Sequence, residues 1–153
     1  MCREIKDKVL IIIVGIVLFF NIFFMNLFPA KIKELSLAGY IILGIGVLFF
    51  VLSVFTLRIK GTGSIVNTRI YGVVRHPMYL GAILMFFSHI LLGQSWIVTI
   101  STIIGIACCY LLILSGDQKN VEKFGDKYIL YMQSVPRINI LLGFIRVFFK
   151  RKK

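Results

Sequence analysis

The run Tyr71-Gly72-Val73-Val74-Arg75-His76-Pro77-Met78-Tyr79-Leu80-Gly81 puts a guanidinium, an imidazole and a phenol within five positions of an apolar stretch. Proline has no N–H to lose and its fixed φ suits a first helical turn, so Pro77 predicts a helix start with Arg75 and His76 just outside it. The free amides and positive dipole end of such a helix attract an anion, and Arg75 and His76 would flank it. Tyr79, three residues after His76 and four after Arg75, shares their face. Gly81 leaves room for a flat ligand or another backbone. The same residue types also anchor a helix at a membrane interface, so the run alone leaves both readings open.

The elements that must position these groups are membrane-spanning. The chain has 153 residues, 59% of them hydrophobic, a mean hydropathy of +0.94 and a formal charge of +12. An ordinary soluble domain is only about 45–50% apolar. Four apolar segments fit bilayer crossings of ~20 residues: 9–28 closed by Pro29, 35–57, the shorter 77–92, and 96–114. The expected architecture is therefore an all-α integral membrane protein, one domain of about four transmembrane helices with a cytoplasmic C-terminal helical segment. Gly39, Gly44 and Gly46 offer close-packing surfaces in the second span. Gly93-Gln94-Ser95 predicts a tight hairpin between the third and fourth. The first segment lacks a small-residue cleavage pattern and reads as a retained span.

Sixteen of the 18 Lys and Arg residues lie on the side of the N-terminus; only Lys31 and Lys33 fall on the other. That asymmetry predicts cytoplasmic N- and C-termini and a cytoplasmic Arg75-His76. Because topology distributes the basic residues, nucleic acid is not the expected partner. Cys2, Cys108 and Cys109 form no metal or disulfide pattern, and no metal site is expected. Gly61-Thr62-Gly63-Ser64 follows no strand and reads as a connector rather than a nucleotide loop. His89, twelve residues past Pro77, falls ~18 Å along the helix and is expected to be remote from the motif.

Beyond Leu114 the chain turns polar, and residues 115–137 can close over the loop before Pro77. Gly125 is expected to end one helix and Asp126 to cap the next, which carries Tyr128 and Tyr131 until Val135-Pro136 stops it. In 138–149, Leu141, Phe144, Ile145 and Phe148 share one face ahead of Lys150-Arg151-Lys152-Lys153, the pattern of an interfacial anchor on acidic lipid.

Two blocks now stand together. Arg75-His76-Pro77-x-Tyr79-x-Gly81 and Phe124-Gly125-x-x-Tyr128-x-x-Tyr131 leading to Val135-Pro136-Arg137 resemble the signatures of the isoprenylcysteine carboxyl methyltransferase and phospholipid methyltransferase superfamily. The resemblance implies S-adenosylmethionine as cofactor and methyl transfer to a lipid or prenyl-like acceptor reached from the bilayer. By matching position it implies Arg75, His76, Pro77, Tyr79, Gly81, Asp117 and Tyr128 for the cofactor, with Asp117 and Arg137 in catalysis. The family's usual Glu-Glu pair is replaced here by Gly116-Asp117, which retains one carboxylate, shorter by a methylene.

The chemistry of the residues agrees. Methyl transfer from a sulfonium needs donor and acceptor held in line in a dry site, and no metal. Arg75, His76 and the helix amides suit the cofactor's carboxylate, Tyr79 its apolar or cationic parts, and Asp117 its hydroxyls or ammonium. Arg137 suits an anionic acceptor group or, equally, a lipid headgroup. Two alternatives stand beside this reading: a sterol-reductase-like enzyme using NADPH, whose Arg-His-Pro-x-Tyr element is similar, and a catalytically silent membrane scaffold, which Gly116 favours.

Overall fold

The computed structural model describes the backbone at 2–27, 30–61 and 63–150, and the side chains there except at 2, 144 and 147–150. Phe28 and Pro29, expected to close the first span, lie outside the described residues, as do Arg151-Lys152-Lys153 and the side chains of Phe144, Phe148 and Lys150. The described residues are helical with no strand: α1 Cys2–Leu27, α2 Lys33–Lys60, α3 Pro77–Gly93, α4 Trp96–Phe124, α5 Asp126–Ser134 and α6 Ile140–Lys150. A 3₁₀ turn, Arg69–Gly72, precedes α3.

Three helices, α1, α2 and α4, are long and apolar enough to cross a membrane. At 17 residues α3 is about 25 Å long, short of the ~30 Å hydrocarbon core. By contrast the 29 residues of α4 reach about 43 Å, so its polar C-terminal turns extend past that thickness. The sequence reading ends the fourth apolar segment at Leu114 and expects a helix end at Gly125. The helix runs unbroken through Ser115 and Gly116 to Phe124, and Asp117 sits inside it. Gly125, at φ 58°, then turns the chain into α5, a conformation glycine adopts without strain. Asp126 is the first residue of α5 rather than its cap, an acid at the positive end of the dipole.

Small residues set the packing. A Cβ on Gly81 would lie 2.6 Å from the Gly46 carbonyl oxygen and 2.8 Å from the Phe50 amide, so α3 and α2 touch backbone to backbone. Gly105 lets the buried Phe86 ring approach α4, and Phe86 joins Val17 and Cys109 in the core where α1, α3 and α4 meet. Beside that core, Asn21 donates to Thr102 Oγ1 at 2.9 Å and lies 3.4 Å from His89 Nδ1, while Ser101 donates to Asn21 Oδ1. At one end of the bundle Gln94, in the left-handed region at φ 42°, turns α3 into α4. Its side chain accepts from the Lys31 and Ile32 amides at 3.0 and 2.8 Å, tying the two helix connections together. The sequence motif stands at the opposite end.

Candidate functional site

Pro77 is the first residue of α3 and His76 its N-cap, so Arg75 and His76 leave the backbone just before the helix, as the proline predicts. Two backbone bonds clasp this turn to the tail: Arg75 N–H to Pro136 O at 3.0 Å and His76 N–H to Arg137 O at 3.3 Å. The second block therefore holds the first in place. Tyr131, whose hydroxyl donates to Tyr71 O at 2.6 Å, and Tyr71, whose hydroxyl is 2.8 Å from Ser53 Oγ, extend the clasp to α2.

Asp117 is the hub. Its Oδ1 accepts from His76 Nε2 at 2.7 Å, Tyr128 Oη at 2.9 Å and Arg75 Nη1 at 3.1 Å, while Oδ2 accepts from Arg137 Nε at 2.9 Å. An ionised carboxylate only accepts, so the imidazole carries its proton on Nε2. Asp117 is 4% exposed, Arg75 9% and His76 7%, so the carboxylate meets Arg75 and His76 out of water, while Arg137 reaches it from a partly exposed position. Such a pair is kept by its hydrogen bonds, and removing one partner leaves an uncompensated buried charge. Burial pushes the Tyr128 phenol up to about 12 and the nearby carboxylate adds to that, so its O–H remains a donor at neutral pH.

Arg75, His76, Asp117, Tyr128 and Arg137 thus converge, while the other candidates stand differently. Tyr79 keeps its ring 6.0 Å from that of His76 and makes no hydrogen bond to Asp117. Gly81 faces α2, so the close approach it permits is by backbone. Pro77 is buried and starts the helix. His89 is buried against Asn21, away from the cluster.

Sequence reasoning missed Asn120 and Tyr110, and it named Phe124 and Tyr131 in the second block without giving them a place in the site. Asn120 Nδ2 donates to Tyr128 Oη at 3.3 Å, and its place three residues after Asp117 on one helix was the available signal. Tyr110 accepts from Arg137 Nη1 at 3.3 Å from two turns below Asp117. Beside the hub opens a cavity of about 120 Å³, with Tyr71, Phe124, Tyr128 and Tyr131 aromatic in its lining and Arg75 and Asn120 polar. Arg75 Nε is buried and has no hydrogen-bond partner among the described residues. A guanidinium beside aromatic faces suits a ligand bearing both an anionic group and a flat ring.

An all-helical, membrane-embedded chain whose polar end gathers around one carboxylate matches a known class. The phospholipid methyltransferase family model covers residues 35–124, from the start of α2 to the end of α4. The chain belongs to that family, within the integral membrane superfamily that also holds the isoprenylcysteine carboxyl methyltransferases. Membership implies methyltransferase activity. No curated protein and no solved structure matches the chain. Of the hub, Arg75, His76 and Asp117 lie inside the matched region, and Tyr128 and Arg137 beyond it.

Proposed function

We propose that the protein transfers a methyl group from S-adenosylmethionine to a lipid-like acceptor at the cytoplasmic face of a membrane. The observation that carries this reading is the convergence of both sequence blocks on Asp117 beside a cavity lined by aromatic rings and by Arg75. The residues fit the cofactor's chemistry: Arg75 and His76 its carboxylate, Asp117 its hydroxyls or ammonium, and the aromatic wall its ring or sulfonium. At about 120 Å³ the cavity is below the ~300–1,000 Å³ of most ligand pockets, so it accepts one end of such a molecule. When bound, the cofactor supplies an electrophilic methyl carbon. The chain's own part is to hold donor and acceptor in line and exclude water. Arg137, one-third exposed between Asp117 and Tyr110, is assigned to the acceptor's anionic group.

The same reading has α3 as a fourth crossing, both termini cytoplasmic, 115–137 closing the cofactor site and 138–149 lying in the interface. A second reading, a silent relative that keeps the fold, is favoured by Gly116 in the family's acidic register and by the four protein donors already gathered on Asp117. Calorimetric titration in detergent tests cofactor binding. His76→Ala is expected to weaken S-adenosylmethionine about tenfold or more by removing a charge-assisted bond. His89→Ala should leave it unchanged, and equal affinity in both would reduce the motif to an interfacial anchor.

A further inference from the structure

The start of α1 and the last turns of α4 are joined by ion pairs that share no residue with the Asp117 hub. Arg3 pairs with Glu122, and Asp7 pairs with Lys119 and accepts from Ser115 Oγ at 2.8 Å. Between these links opens a groove of about 440 Å³. Leu10, Leu111 and Leu114 form its apolar wall, and Arg3, Lys6 and Asp7 are polar residues of its lining. The wall continues into the exposed apolar face of α4 through Leu111, which is 50% exposed. Lys119 offsets Asp7 and Glu122 offsets Arg3, whereas Lys6 is exposed and has no partner among the described residues. Lys6 is therefore an uncompensated cation in the lining of a largely apolar groove.

An apolar groove with a free ammonium in its lining complements an acyl chain beneath an anionic headgroup. We propose that this groove binds an anionic phospholipid, its chain against Leu10, Leu111 and Leu114 and its phosphate at Lys6. The α1 half lies outside the region that matches the family, so the site belongs to this chain's own first helix. Ser115 lines the groove and is only two residues, about 200° of helical rotation, from Asp117. A lipid seated there packs against the turn of α4 whose other side faces the hub.

The test is retention of lipid by delipidated protein in detergent, counted by native mass spectrometry during titration with dioleoyl phosphatidylglycerol. Phosphatidylcholine with the same chains, and glycerol phosphate without chains, serve as comparisons. Phosphatidylglycerol should bind in preference to both. Lys6→Glu should weaken it about tenfold or more, while Lys8→Glu, at an exposed position that does not line the groove, should change it less than about twofold. The proposal is overturned if Lys6→Glu binds like the parent or if Lys8→Glu loses as much. Equal retention of phosphatidylcholine, or equal binding of chainless glycerol phosphate, also overturns it. None of these outcomes depends on methyl transfer.

Discussion

Asp117 has two tasks, and its neighbour offers a way to separate them. Asp117→Asn keeps the size but removes the charge that compensates Arg75 and Arg137, so it should cost about 3–5 kcal/mol of stability as well as about tenfold to a hundredfold in cofactor affinity. Thermal unfolding and calorimetric titration of one preparation check the two losses. Gly116→Glu is the gentler probe. A Cβ there would meet only His76 Cε1, at 3.6 Å, an ordinary contact, and replacing an interior helical glycine relieves up to ~1 kcal/mol of helix cost. It should leave stability unchanged or raised while preserving or increasing methyl transfer; transfer gained where the parent has none would identify a silent relative. Arg75, His76, Tyr128 and Arg137 were legible because two ordered motifs named them, and Asp117 because it stands in the register of the family's acidic pair. Asn120 and Tyr110 were not, since a lone amide or phenol on a helix gains meaning only when the fold brings a partner to it. Gly81 was half legible: the close approach was foreseen, and the approaching group proved to be α2.

At the scale of elements, glycine spacing decides which helices touch. Gly81→Ala forces a methyl against the Gly46 carbonyl and Phe50 amide and should destabilise by about 1–3 kcal/mol, whereas Gly44→Ala meets nothing within 4 Å and should be neutral or stabilising. Thermal unfolding of the pair checks it, and equal effects would remove the close α2–α3 contact from the account. Helices over the four apolar segments were legible from hydropathy, and Gly125 as a helix end, but not that α4 runs unbroken from Trp96 to Phe124. Polar residues after Leu114 mark the end of an apolar segment, not of a helix, and a ~1 kcal/mol glycine penalty at Gly116 does not break one whose next turn is anchored by four side chains. Equally invisible was the seat of α6, where a Cβ on Gly143 would collide with Val73 O, two residues before Arg75. Gly143→Ala should lift α6 away, raising hydrogen exchange across 140–146 and weakening cofactor binding severalfold; unchanged exchange would uncouple α6 from the site.

For the whole molecule, the charge asymmetry expects Lys31 and Lys33 outside and both termini inside. In a variant freed of its native cysteines, a cysteine introduced near Lys33 should react with an impermeant reagent from outside, and one near Lys153 only from inside. The reverse pattern would move the Asp117 hub to the other face and with it the supply of cofactor. The central claim remains that the hub supports methyl transfer to a lipid. Its most direct measurement is the transfer of labelled methyl from S-adenosylmethionine to extracted membrane lipids by purified protein, with Asp117→Asn alongside. Labelled lipid from the parent, falling about tenfold or more in Asp117→Asn, is the predicted result. A parent that binds the cofactor and labels no lipid contradicts it.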